Sequence, residues 1–413
     1  MNNNKYRFFE AVVIGGGAAG LLCAVLCKKQ NPALNVAILE AQDRVGRKLL
    51  VTGNGRCNLT NLHITSDMYH GSFSYCAANM LNTFPPRKII EVFEELGLMT
   101  ISDSEGRVYP LSKQANSVLD ILRKTAARCG VDIITNCKIT DISYQKGKYC
   151  LKSENNSVLS KKVVVASGSK ASPSTGADDS ILKALEKMGH TVVAPSPALC
   201  PVSVRSPYLK SLKGIRANAK VSILSNDKVL KEEIGEVQFT ENALSGICVF
   251  NLSRIANTVK NTRIRISLLP QLTEDELFLK LTNKLSLLEK DETAEELLAG
   301  YFHKMVNIAL LKESGISPND AIHKIDSAKL STLCKTINNW EFMVIPHQDF
   351  SKAQVAAGGV SGREIDMHSM ESKMHKNLYI IGEATDCDGD CGGMNLQYAF
   401  ASACAAAKDI SKL

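Results

Sequence analysis

Apolar and polar positions along the chain predict α/β structure at both ends and a different texture between them. Ala11–Ile14 is an apolar run short enough for a buried strand, Leu21–Leu26 an apolar helical segment, and Val36–Leu39 a second buried strand. Pro86 to Leu96 sets apolar and charged residues at helical spacing and stops at Gly97, a C-cap residue; Ala115 to Arg128 repeats the pattern and ends before Gly130. Strands are predicted at Val131–Thr135, Ile139–Tyr144, Tyr149–Ser153 and Ser157–Val165, and a helix at Asp179–Met188. From about Pro195 the runs become short and strand-like: Pro201–Arg205, Ala219–Leu224, Lys228–Glu233, Glu236–Thr240 and Thr262–Leu269. They suggest a small antiparallel sheet or barrel-like unit. Thr273 to Glu276 and Thr293 to Glu296 each read as a capping box. The stripes Leu277, Phe278, Leu281, Leu285, Leu288 and Leu297, Leu298, Tyr301, Phe302, Met305, Ala309 read as core faces of the helices that follow. The α/β texture returns with Ala353–Val360, an apolar strand at 378–381 and an Ala-rich helix from Tyr398 to Ile410.

A chain of 413 residues exceeds one ordinary core, so two or three domains are expected. Hydrophobic content of 45% and charged content of 22% are those of a soluble globular protein, and no apolar run reaches the length of a bilayer span. The N-terminal apolar stretch is broken by three glycines and lacks a cleavage pattern, so a cytoplasmic location is expected. The 13 cysteines are then reduced thiols, which an odd count fits. The net charge of +7 is uneven: Pro201 to Pro270 carries 11 Lys+Arg against 5 Asp+Glu. Such a face suits an anionic substrate, a second nucleotide or RNA, although a solvated surface is the commoner meaning.

The chemistry concentrates at the two ends. Gly15, Gly17 and Gly20 fit G-x-G-x-x-G between a strand and a helix, and Glu40 closes the next strand twenty residues on. Gly15 permits the sharp turn, Gly17 leaves room for a pyrophosphate at the helix N-terminus, and Gly20 allows helix and strand to pack closely. Glu40 would accept hydrogen bonds from an adenosine ribose. Residues 43–61 follow as a loop rich in cations and amides (Arg47, Lys48, Asn54, Arg56, Asn58, Asn61), with Gly53 and Gly55 free to take positive φ. The run Ala166-Ser167-Gly168 ends a strand on small residues. Gly382-Glu383 places an acid after a strand, where it would bond a polyol, the ribityl chain if the cofactor is a flavin. Gly392-Gly393 exposes a second helix N-terminus.

Other constellations carry less. Asp386, Asp388 and Asp390 copy the opening of a calcium loop, but Cys391 and Gln397 stand where glycine and glutamate belong. Cys387 and Cys391 are four apart, not the spacing of a redox dithiol. Arg56 beside Cys57 could lower its pKa, but a backbone role in the loop is favoured for that residue. The histidines show no ligand spacing, so no metal is expected, and G-x-S-x-G is absent.

The N-terminal fingerprint, the Gly46-Arg47-Lys48…Thr52-Gly53-Asn54-Gly55-Arg56-Cys57-Asn58-Leu59-Thr60-Asn61 loop and the Gly382-Glu383…Gly389-Asp390…Gly392-Gly393…Asn395-Leu396-Gln397 tail resemble a bacterial family of FAD-binding oxidoreductases, the BaiN-like and aminoacetone-oxidase flavoproteins. Ala353 to Val360 and Met370-Glu371-Ser372-Lys373 share the likeness, which is specific at both ends and weaker between about 200 and 345. The resemblance implies an α/β fold: a glutathione-reductase-like FAD domain with a parallel Rossmann-type sheet, built from 1–192 and 346–413. Residues 193–345 would be inserted, β-rich over 193–270 and helical over 271–345. It implies that Gly15, Gly17, Ala18, Ala19, Glu40 and Ala41 hold the ADP half, and that Arg47, Lys48, Gly55, Arg56, Cys57 and Asn58 lie along the pyrophosphate and flavin. Ile139 would meet the adenine, Ala166, Ser167 and Gly168 the phosphoribosyl part, and Gly382, Glu383, Asn395, Leu396 and Gln397 the ribityl chain and pyrimidine. Met394 and Tyr398 depart from the family's aromatics and would lie near the ring.

The expected activity is hydride transfer between FAD and a small organic substrate, in a pocket between the flavin face and the inserted domain. One fingerprint leaves NAD(P)H, if used, as a transient donor. A flavin-dependent RNA-modifying enzyme using the basic insert and a non-enzymatic flavin redox sensor are the alternatives. No membrane partner is expected, a homo-oligomer stays open, and the sequence names no catalytic acid or base.

Overall fold

The computed structural model describes residues 6–154 and 157–412. The chain divides into two compact units, Met1–Pro197 with Asp349–Leu413, and Ala198–Gln348.

The first unit opens with β1 (Tyr6–Ile14), α1 (Ala18–Gln30), β2 (Val36–Leu39) and the short α2 (Arg47–Val51), followed by β3 (Tyr69–His70) and α3 (Ala115–Arg128). The strands β4 (Asp132–Ile134), β5 (Ile139–Gln145), β6 (Lys148–Ser153) and β7 (Ser157–Val165) come next. After the second unit the chain returns with β8 (Leu378–Ile380), β9 (Asp388–Gly389) and α4 (Met394–Ile410). The main sheet runs β4-β2-β1-β7-β6-β5, and β8 also pairs with β7. Its β4-β2-β1-β7-β8 part is parallel, while β5 and β6 join antiparallel. β7 changes its neighbour along its length: Ser157–Ser160 pair with β6, and Val163–Val165 with β8. Both faces of the parallel part are covered, which is why β2 is Val-Ala-Ile-Leu and β7 ends Val-Val-Val, all buried. The Ala-rich α4 packs along α1, and a cluster of buried apolar side chains continues through both.

The second unit is a closed six-stranded barrel. Val202–Arg205, Ala243–Ser245, Lys228–Phe239, Arg216–Ser225, Thr262–Ser267 and Trp340–Val344 follow one another around it, every described pairing antiparallel. Alternate residues (Val221, Ile223, Val237, Phe239, Ile264, Ile266, Trp340, Phe342) fill its core. The outward positions carry ion pairs, among them Arg216–Glu236 at 2.6 Å, Lys220–Glu232 at 2.8 Å, Arg265–Glu341 at 2.8 Å and Lys213–Glu241 at 3.0 Å.

Several expectations are corrected. Residues 43–61 are not all loop, since Arg47–Val51 is helical. Lys228–Glu233 and Glu236–Thr240 are one strand, Lys228–Phe239. Ile247–Thr258 is a helix that the periodicity did not suggest. The box at Thr273 forms, but the Thr293 side chain caps nothing. The stripe after it splits into Ala294–Leu297 and Lys304–Glu313, with Gly300 at φ +85° between them. The last helix begins at Met394, not Tyr398.

Candidate functional site

The turn from β1 to α1 uses its glycines differently. Gly15 has φ +104°, and a Cβ there would lie 2.5 Å from the Ala166 carbonyl oxygen, so its smallness lets the ends of β1 and β7 meet. Gly17 has φ −80° and nothing within 4 Å of an added Cβ. The space beside it is open. No side chain caps α1, so the N–H groups of Ala18 and Ala19 have no helical acceptor and lie at the positive end of the dipole. That combination suits a pyrophosphate.

Glu40, directly after β2, accepts the Gly16 N–H on Oε2 and the Gln42 N–H on Oε1, both at 2.8 Å. Each oxygen keeps lone-pair capacity for a ribose hydroxyl. Ala41 follows, half-buried. Backbone bonds from Asn136 to Gln42 (2.9 Å) and from Cys137 to Glu40 (2.8 Å) tie the chain leading to Ile139 along the same edge. Ala166 bonds to Ile14 at 2.9 Å. Ser167 and Gly168 come next, and Gly168 (φ +71°) again leaves open space where a Cβ would be.

The second half of the site is assembled across the length of the chain. Lys48 Nζ in α2 meets Glu383 Oε2 at 2.6 Å, although 335 positions separate them. The other Glu383 oxygen takes the Ser169 hydroxyl at 2.5 Å and the Ala356 N–H at 2.9 Å. Arg47 reaches Gln42 Oε1 (2.6 Å) and the Ser174 carbonyl (3.1 Å). Gly382, at φ +60°, lies against Ala19, so the first turn of α1 and the Gly382-Glu383 segment touch. Gly53, Asn54, Gly55 and Cys57 all have positive φ, a run of left-handed positions that folds residues 53–58 tightly. The Asn58 side chain is buried, and its Oδ1 has no hydrogen-bond partner among the described residues. It stands 3.1 Å from where a Gly393 Cβ would be, at the uncapped N-terminus of α4.

A buried amide oxygen without a donor costs about 1–3 kcal/mol. A flavin pyrimidine offers what is missing, an N–H for Asn58 and a carbonyl for the helix N-terminus. The residues present therefore fit FAD: open space at Gly17, an acid for the ribose, an orphaned acceptor and a second helix end.

Other expected site residues are occupied elsewhere. The Arg56 guanidinium lies over the Tyr109 ring at 5.0 Å and bonds the Gly53 carbonyl. Cys57 is fully buried, and burial pushes its thiol up to about 12, so the expected lowering by Arg56 does not occur. The Asn395 side chain bonds both backbone groups of Gly389, at 2.9 and 2.7 Å. Buried Gln397 accepts from the Thr60 hydroxyl and donates to the Phe84 carbonyl, each at 2.7 Å. Leu396 packs against the core. These three secure the start of α4 from behind. Tyr398 is core as well, with its hydroxyl 2.8 Å from Thr385 Oγ1 and its ring against Tyr69 and Phe73. Ser169, Gln42 and the Ala356 N–H were not anticipated; only the small-residue run after β7 hinted at Ser169.

The chain matches the family described as HI0933-like protein Rossmann domain over residues 9–409. It is 34% identical over 394 residues to the 3-dehydro-bile acid delta(4,6)-reductase of Clostridium scindens, covering 94% of this chain and 96% of that protein. It is 26% identical over 412 residues to the ribosomal RNA dihydrouridine synthase of Haemophilus influenzae, covering 98% and 99%. The 3-ketosteroid-delta4-(5alpha)-dehydrogenase of Rhodococcus jostii RHA1 shares the fold at a TM-score of 0.52 and 12% identity, over 100% of this chain and 99% of that one. No helix among the described residues is long and apolar enough to cross a membrane. The family match covers residues 9–409, nearly all of the chain: the chain belongs to the HI0933-like family of FAD-binding Rossmann proteins and is a flavin-dependent oxidoreductase.

Proposed function

We propose that this enzyme reduces a carbon–carbon double bond conjugated to a carbonyl in a small organic substrate, with a reduced nicotinamide as transient electron donor. One observation carries the reading: two relatives aligned over nearly the whole chain are named for reductions of unlike molecules that share one bond type. A 4,6-unsaturated 3-dehydro bile acid and the uracil ring of RNA each present an alkene polarised by a carbonyl.

Bound FAD supplies the hydride that such an alkene accepts at its β-carbon. The chain supplies position and charge. The open turn at Gly17 and the α1 N-terminus would take the pyrophosphate, and Glu40 would orient the adenosine ribose. Lys48 holds Glu383 where a ribityl hydroxyl would meet it. Asn58 Oδ1 and the α4 N-terminus would hold the pyrimidine edge, where the helix dipole would favour negative charge.

RNA is the second reading, favoured by the dihydrouridine synthase relative. Against it, Lys213, Arg216 and Lys220, which would form the basic face of the barrel, each lie beside a carboxylate. Paired cations release few counterions on meeting a phosphate backbone. A small substrate is therefore placed first.

Anaerobic stopped-flow separates these. NADH or NADPH should bleach the flavin band, and an added cyclic enone should restore it with one equivalent of saturated ketone. Reoxidation by uridine-containing RNA alone would select the second reading, and reoxidation by O₂ alone would remove both.

A further inference from the structure

We propose that His70 is the proton donor of this reduction; the inference rests on the alkene-reductase reading. His70 Nε2 lies 2.8 Å from Asp390 Oδ1. A carboxylate acceptor holds a proton on Nε2, which leaves Nδ1 as the nitrogen that gives a proton to a ligand. The side chains of His70 and Asp390 are 27% and 15% exposed, so the pair is largely enclosed but still reached by solvent.

The placement is over-determined. β3 pairs antiparallel with β9, His70 opposite Asp388 and Tyr69 opposite Gly389. The Asp390 N–H bonds the Met68 carbonyl at 3.0 Å, the Ser72 N–H bonds Asp386 Oδ2 at 2.8 Å, and the Phe73 N–H bonds the Asp386 carbonyl at 3.0 Å. The Tyr69 hydroxyl donates to the Met394 carbonyl at 3.0 Å, tying β3 to the first turn of α4. Asp390 stands three residues before Gly393, where the orphaned Asn58 oxygen would meet the flavin's pyrimidine edge. A rigid acid–base pair is thus held beside the helix end assigned to the reacting ring.

His190 offers a contrast. It is buried, with Nδ1 3.0 Å from Glu364 and Nε2 3.2 Å from Ser372, so both ring nitrogens are engaged. It is a strut.

In the step assigned to His70, hydride adds to the β-carbon and the π pair moves toward the carbonyl as an enolate. The Nδ1–H of imidazolium then protonates the α-carbon. One C–H bond forms from hydride and one from the imidazolium proton, the alkene becomes a single bond, and water reprotonates the ring. The electron pair comes from the reduced nicotinamide.

The test is His70→Gln, whose amide retains a donor for Asp390 but has no ionisable proton. Flavin reduction by NADPH and enone affinity should stay within about twofold, while flavin reoxidation by cyclohex-2-enone slows at least about a hundredfold. A second readout needs no turnover: carbethoxylation of His70 by diethyl pyrocarbonate, read by mass spectrometry, should drop at least about tenfold when FAD and cyclohexanone are bound, and exposed His63 should not change. Reoxidation of His70→Gln at the wild-type rate, or equal labelling of His70 with and without ligand, overturns the proposal. If wild-type enzyme is not reoxidised by the enone at all, the alkene-reductase reading itself fails.

Discussion

Gly17 and Gly20 sit three residues apart in one turn, and space around them separates ligand from fold. A Cβ on Gly20 would lie 2.0 Å from the Gly15 carbonyl oxygen, whereas one on Gly17 meets nothing. Gly20→Ala should therefore cost about 3 kcal/mol or more of stability, seen as a lowered melting temperature without cofactor. Gly17→Ala should leave apo-protein stability within about 1 kcal/mol and weaken FAD at least about tenfold by fluorescence titration. Equal FAD affinity in Gly17→Ala would place the pyrophosphate elsewhere. Cys57 gives a second residue-scale expectation: with its pKa raised to about 12, only about one thiol in ten thousand is ionised at pH 8, so iodoacetamide should spare it until denaturation. The fingerprint glycines and Glu40 were legible because their spacing is local. The Lys48–Glu383 pair and the Asn58–Gly393 approach were not, because each joins residues more than three hundred positions apart, and sequence spacing says nothing about such meetings.

At the level of elements, two threonines with the same local pattern behave differently. Thr273 Oγ1 accepts from the Glu276 N–H and the Thr273 N–H donates back to Glu276 Oε2, while the Thr293 side chain caps nothing. Thr273→Ala should cost about 1 kcal/mol and Thr293→Ala clearly less. The measurement is direct, because Trp340 is the single tryptophan and belongs to the barrel, so its fluorescence during urea unfolding of apo-protein reports that unit. Equal shifts for both variants would contradict the capping geometry. The parallel sheet was readable from its short apolar runs, and Ala115–Arg128 falls on its predicted bounds. The barrel was harder. Gly235 interrupts the alternation of Lys228–Phe239 yet continues the strand, because a Cβ there would press on Cys248 of the helix Ile247–Thr258. That helix opens Ile-Cys-Val-Phe, a strand-like run, and only its packing against Lys228–Phe239 makes it helical. Gly300 broke a stripe whose period alone looked continuous.

For the whole molecule, every residue assigned to the cofactor belongs to one of the two units, 1–197 with 349–413. Replacing 198–348 by a short Gly/Ser linker between Pro197 and Asp349 should yield a yellow protein with FAD affinity within about tenfold of the full chain. A colourless product that ignores added FAD would count against the assignment. In the full chain, FAD at a hundred times its Kd should stabilise by about 2.7 kcal/mol, and its removal should lower the melting temperature accordingly.

The pairing of β7 with β8 also has a temporal side. The ribosome completes Val165 roughly two hundred residues before it reaches Leu378, an interval of about 10–40 s at ordinary elongation rates. Throughout that interval the nascent sheet has a bare flank, and the helix end that would grip the isoalloxazine does not yet exist. Cofactor capture therefore becomes an event of chain termination: a transcript truncated between the last barrel strand, Trp340–Val344, and α4 makes a barrel and most of a nucleotide fold, but no flavoprotein.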